Sequence, residues 1–263
     1  MHLRALGCAS LLLISCSRAG FDAEDVGVTA DLSSSDAASG DAGDDTDAGM
    51  DLALVGWWRF DEGTGPTAMD SSGHGNTGTL MNGPSWVAGR VGSGALAFDG
   101  IASHVDASNR PSLNNIPVKT VCAWIRPAAT SASDQVFVGK DASAACGWDL
   151  SVGVNNEIRF RQCFSTDGVW ASASNLAPVG EWHHIVLIYD RRSLANVPTL
   201  YVDGVEHEMA ALQDPMGTGA DESNRALGIG ANAVDNTENF TGLIDEVRLY
   251  SRALSAVEVA QLP

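Results

Sequence analysis

From Leu52 onward the sequence is built of short apolar runs, four to eight residues long, separated by turn-forming residues, and this pattern constrains the fold more than any other feature. The runs lie at 54–60, 95–98, 120–125, 135–138, 182–189 and 199–202. Between them stand Asp99-Gly100, Asn155-Asn156 and Asp203-Gly204, and the last pair, between Tyr201-Val202 and Val205, marks a tight hairpin. Helical periodicity is almost missing. Only Ser255 to Leu262 reads as a helix, with Ser255 as N-cap and Glu258 as its capping-box partner. Many short antiparallel strands over this length mean a sandwich or a barrel, and 44% apolar content suffices to fill its core.

The N-terminal side has a different character. Met1 to Arg4 form a short basic segment, and Ala5 to Ile14 an apolar stretch of about ten residues, too short to span a bilayer. It closes on Leu13-Ile14-Ser15-Cys16, which resembles the lipobox of bacterial lipoproteins. The resemblance implies a signal peptide over 1–15, lipidation of Cys16 and, with Ser17 in the following position, an outer-membrane lipoprotein of the cell envelope. Residues 17–51 then carry nine Asp and Glu24 against Arg18, with Phe21 the single aromatic, so residues 16–51 read as a lipidated cysteine followed by an extended acidic tether. A net charge of -18 argues against nucleic acid as a partner.

Residues 52–263 resemble the laminin G-like domains of the concanavalin A-like lectin and glucanase superfamily. The resemblance rests on Trp58-Arg59-Phe60-Asp61-Glu62-Gly63 with Asp70-Ser71-Ser72-Gly73, on Ala95 to Gly100, Val121 to Pro127, Trp182 to Ile185, Leu200 to Gly204, and Gly242 to Tyr250. It implies an all-β jelly-roll sandwich of two antiparallel sheets with a short C-terminal helix. In similar domains the positions of Asp99 and Asp245 line a structural calcium site, with Asp61 as a weaker third ligand and Gly100 able to add a carbonyl. The fold hosts lectins, adhesion modules and hydrolases alike, so function must be argued from residues.

Those residues speak against catalysis. The Glu-x-Asp-x-x-Glu strand of similar glycoside hydrolases, which points two carboxylates into one cleft, does not occur, nor does Gly-x-Ser-x-Gly or His-Glu-x-x-His. His183-His184 are neighbours on a strand and point to opposite faces, so they cannot easily hold one ion together. Three cysteines remain in the domain. Cys146 and Cys163 bracket a hairpin centred on 153–156 and are expected to pair in an oxidising compartment. One register sets them opposite each other, whereas the register that buries more, Leu150 facing Phe160, would need a bulge for the bridge. Cys122 reads as a buried small hydrophobe.

Of the tryptophans, Trp58, Trp124 and Trp182 sit in segments expected to fill the interior. Trp148 and Trp170, with Arg161, flank loops and are the candidates for a ligand surface. The expected function is a non-catalytic, surface-anchored binding module for carbohydrate. A protein-protein adhesion or envelope scaffold domain is the alternative, and a divergent glycoside hydrolase a third.

Overall fold

A computed structural model describes residues 53–140, 147–233 and 238–263. The proposed signal peptide, Cys16, the acidic tether and Cys146 lie outside the described residues. The strands in chain order are β1 (Leu54–Trp58), β2 (Thr67–Ala68), β3 (Gly78–Met81), β4 (Ser85–Val87), β5 (Ala95–Asp99), β6 (His104–Asp106), β7 (Val118–Pro127), β8 (Gln135–Gly139) and β9 (Trp148–Val152). They continue as β10 (Ile158–Gln162), β11 (Gly168–Ala171), β12 (His183–Asp190), β13 (Thr199–Val202), β14 (Val205–His207), β15 (Ala210–Gln213), β16 (Gly228–Ile229) and β17 (Thr241–Tyr250), and the helix α1 (Ala256–Gln261) follows.

They form the expected sandwich. One antiparallel sheet has the order β14-β13-β12-β7-β17-β5-β4, with β1 also paired to β17, and the other runs β15-β11-β10-β9-β8-β16-β6-β3-β2. Strand alternation decides which side chains meet between them. In β7, Val121, Ala123 and Ile125 enter the main core with Ile185 and Leu187 of β12, while Cys122 and Val186 join a second, smaller apolar cluster on the far face, beneath Val259 of α1. Cys122 is thus a buried small hydrophobe, and burial pushes its thiol up to about 12.

Local chemistry accounts for the connections. Asp203 and Gly204 both take positive φ, 52° and 78°, which closes the β13–β14 hairpin with Val202 opposite Val205. At α1 the Ser255 side chain accepts from the Glu258 amide and the Glu258 carboxylate accepts from the Ser255 amide, the reciprocal cap read from the sequence. The β9–β10 hairpin adopts the register with Leu150 opposite Phe160 and Val152 opposite Ile158. Its next backbone bond, Cys163 N–H to Gly147 O at 2.8 Å, sets Cys163 against Gly147.

Candidate functional site

Trp124 projects from the far face of the β7 sheet because it has the parity of Cys122, not that of Ala123. His184 of β12 stands opposite Trp124 in the ladder, and the two rings stack with centroids 5.0 Å apart at 23°. The Arg90 guanidinium lies 4.7 Å from the Trp124 ring centroid. These groups, with Trp182, Asp203 and the last turn of α1, line a pocket of about 410 Å³. Asp203 accepts from the His184 backbone N–H at 2.8 Å and is 2.9 Å from His183 Nδ1, while its side chain remains 47% exposed to the pocket mouth.

Burial, helped by Arg248 and opposed by Asp203, pushes His184 down to about 4. At neutral pH the pocket therefore offers one guanidinium, one carboxylate, a neutral imidazole that both donates and accepts, and half-buried indole surface. Flat aromatic surface ringed by directional polar groups suits a ligand with an apolar face and a polar rim. A larger cavity of about 680 Å³ opens between the β14 and β15 edges, lined in part by Glu206, His207, Glu208 and Met209, but among the described residues no indole or phenol ring lines it.

The expected ligand-surface residues are elsewhere. Trp148 and Trp170 are only 1% exposed, inside the core, where Trp170 stacks on Phe160 at 5.9 Å and packs on Tyr189 at 5.2 Å. Rings so enclosed have no face to offer a ligand, and that expectation is corrected. Arg161 alternates outward from the same sheet and pairs with Asp149 at 2.8 Å. The correction runs the other way for Trp124 and Trp182, expected inside and found half-buried at the pocket, whereas Trp58 is fully buried as expected.

The positions assigned to calcium are not brought together. Asp99 stands opposite Thr241 in the β5–β17 ladder, four residues and hence about 13 Å along the strand from Asp245. Its Oδ1 accepts from the amides of Ile101, Ala102 and Ser103 and from the Ser103 hydroxyl, which holds the carboxyl well below the usual range and shapes the turn that Gly100 enters at φ 71°. Asp61 accepts from the Ser93 and Gly94 amides and pairs with Arg59 at 2.9 Å. Asp245 is fully buried at a β17 bulge, where Oδ2 accepts from the Arg90 and Val91 amides at 2.8 and 3.0 Å and Oδ1 has no hydrogen-bond partner among the described residues. Among the described residues, no three His, Cys, Asp or Glu side chains gather as metal ligands. The proposed set does not fit a shared hard-cation site, which needs six to eight converging oxygens.

Asp61 and Asp245 instead clamp one loop between them. Both ends of 89–94 hang on carboxylates, and a Cβ at Gly89 or Gly92 would fall 2.9 Å or less from Asp245 or Asp61 oxygens. That clamp is what presents Arg90 over Trp124.

Residues 98–260 match the Laminin_G_3 family, described as the concanavalin A-like lectin/glucanases superfamily. The chain belongs to this superfamily. A search of curated proteins returns no match. Among solved structures, the chain resembles the binding domain of Paraclostridial Mosquitocidal Protein 1 at 18% identity and a TM-score of 0.63, over 80% of this chain and 51% of that one. It also resembles domain 4 of AbnA, an extracellular arabinanase of Geobacillus stearothermophilus solved in complex with arabinotriose, at 23% identity and a TM-score of 0.53, over 79% of this chain and 96% of that domain. The receptor binding domain of botulinum neurotoxin C/D mosaic serotype matches at 13% identity and 0.56, over 80% and 50%. This superfamily member thus spans about half the length of the two toxin domains and nearly the whole of the arabinanase domain.

Proposed function

We propose that this chain is a non-catalytic binding module, held at the bacterial envelope by a lipidated Cys16 and an acidic tether over 16–51, with carbohydrate as the ligand of its 52–263 domain. The observation that carries the reading is the pocket in which Trp182, the Trp124–His184 stack, Arg90 and Asp203 converge. A pyranose or furanose ring has an apolar face that packs on indole and hydroxyls that suit imidazole, guanidinium and carboxylate partners. The arabinanase domain, 96% of which this chain covers, was solved with arabinotriose and supports a sugar as the ligand of a domain of this size. Hydrolysis of a glycoside uses two carboxyl groups facing one bond. Among the described residues Asp203 is the single acid lining this pocket, and both its oxygens already serve His183 and His184.

The test is binding of the purified chain to a panel of glycans, followed by titration of hits against Trp182→Ala. Saturable binding to the parent, lost in the variant while the melting curve holds, is expected. A second reading, protein adhesion, is favoured by exposed apolar side chains on or near the two sheet edges, Val197 and Val205 at β13–β14 and Leu212 on β15. A panel without a glycan hit, with capture of a surface protein that Val205→Lys abolishes, would replace the first reading by the second.

A further inference from the structure

The pocket over Trp124 holds a cation that the protein itself does not pair. Arg90 is exposed, and among the described residues its guanidinium forms no ion pair and donates no hydrogen bond. A chain with 33 acidic side chains against 15 basic ones has carboxylates to spare, and other arginines take them. Arg248 pairs with Glu246 at 2.7 Å, Arg252 with Glu258 at 2.5 Å and Arg59 with Asp61 at 2.9 Å. Asp245 grips Arg90 as well, but through the backbone N–H at 2.8 Å and not through the guanidinium.

The geometry around Arg90 then decides what it can bind. Its guanidinium is attracted to the Trp124 ring through charge, which leaves the N–H donors unspent, and two of them side by side match the two oxygens of a carboxylate. Trp124 itself is taken: His184 reaches it from β12, Arg90 is held at Asp245 of β17 on the other side of β7, and its Nε1 donates to Pro263 O at 2.7 Å. Trp182 has no ring or cation partner among the described residues, so its ring is the one open to a sugar face. The pocket is also polarised. Asp203 is bonded to the His184 N–H on β12 and Arg90 to Asp245 on β17, two strand spacings or roughly 10 Å apart. Trp182 leads into β12 and so stands at the Asp203 end.

Resting on the carbohydrate reading above, we propose that the ligand is a sugar acid, with its carboxylate on Arg90 and its ring on Trp182. Arg90 is the one arginine or lysine among the described lining residues, so it matches a single negative charge. Asp203 and the His184 imidazole lie at the hydroxyl end, away from the ligand's own carboxylate. A neutral sugar gains nothing from the guanidinium that water does not already supply, so the arginine acts on specificity.

The test is titration of the full chain with acidic oligosaccharides from galacturonan, alginate and hyaluronan and with sialyllactose, each beside the same molecule with its carboxyls reduced to alcohols. A preference of about 10- to 100-fold for at least one acid over its reduced twin is expected, the range of one charge-assisted hydrogen bond. In Arg90→Gln, with the melting curve of the parent, that ratio should collapse towards one. A parent that binds acid and reduced forms alike, or binds neutral glycans alone, overturns this proposal and leaves the carbohydrate reading standing. A parent that binds no glycan ends both. A preference that survives Arg90→Gln overturns the assignment to Arg90, and tighter binding of an O-sulfated neutral oligosaccharide overturns the choice of carboxylate.

Discussion

Replacing Asp245 by Asn isolates the cost of a buried charge at the β17 bulge. Burial is the largest influence on this carboxyl and Glu246 adds to it, outweighing the Val91 and Arg90 amides, so that the group rises from 3.8 to about 6. Between those values the folded state keeps a proton that the unfolded chain has released. Unfolding free energy therefore falls as pH rises through the window, with the benefit complete below about pH 4 and gone above about pH 6. A shift of roughly two units corresponds to ~3 kcal/mol. Asn has the same shape, keeps an oxygen for both amides and carries no charge at any pH. Urea unfolding of parent and variant at about pH 4 and about pH 7 should show the variant gaining ~3 kcal/mol on the parent between the two, because all other titrations cancel in the comparison. A difference that stays flat with pH, or one that favours the parent on going upward, would refute the claim that Asp245 is a charge held out of water.

Trp170→Ala should cost about 3–5 kcal/mol, read as a lower denaturant midpoint, because it empties a fully packed position between Phe160 and Tyr189. Cys16→Ser should move the chain from the membrane fraction to the soluble fraction; unchanged fractionation would end the lipoprotein proposal. Calcium and chelator should give the same melting temperature, since the Asp99, Asp61 and Asp245 carboxylates are taken up by amides; a calcium-dependent rise abolished by Asp99→Ala would restore the site. We propose that Cys146 and Cys163 are joined, and non-reducing peptide mapping that finds Cys122 in a bridge instead would overturn that pairing.

The fold was legible because it depends on features that survive in one dimension. Asp203-Gly204 must turn with two positive φ values, Ser255 and Glu258 cap a helix from three residues apart, and the β9–β10 register follows from which of Leu150 and Phe160 can be buried together. The site was less legible. Parity was available: Asp149 and Ser151 between Trp148, Leu150 and Val152 say that the tryptophan faces inward, and Cys122 and Trp124 between Val121, Ala123 and Ile125 say that Trp124 faces away from them. Weighting those patterns above segment resemblance would have exchanged the roles of the tryptophans. Arg90 had no such signal, because its place over Trp124 depends on amide bonds to Asp245, more than 150 residues away in the chain.

The pairing of β1 with β17 decides how the domain would carry a pull. Leu54 lies against Tyr250 and Trp58 against Val247, so the first described strand is laced to the last strand, with a single bridge from Trp58 to Asp70 on its other side. If Cys16 holds the chain and the pocket grips a surface, as proposed, tension enters the described residues at this ladder of four residue pairs. Behind the ladder stand Trp58 and Phe60, both wholly enclosed, and Ser251 N–H bonds Ala53 O at 2.8 Å at the very entrance. A load must therefore break backbone bonds and drag two large rings through the core at once, which gives the anchor point a mechanical resistance that a strand at the free edge of a sheet would lack.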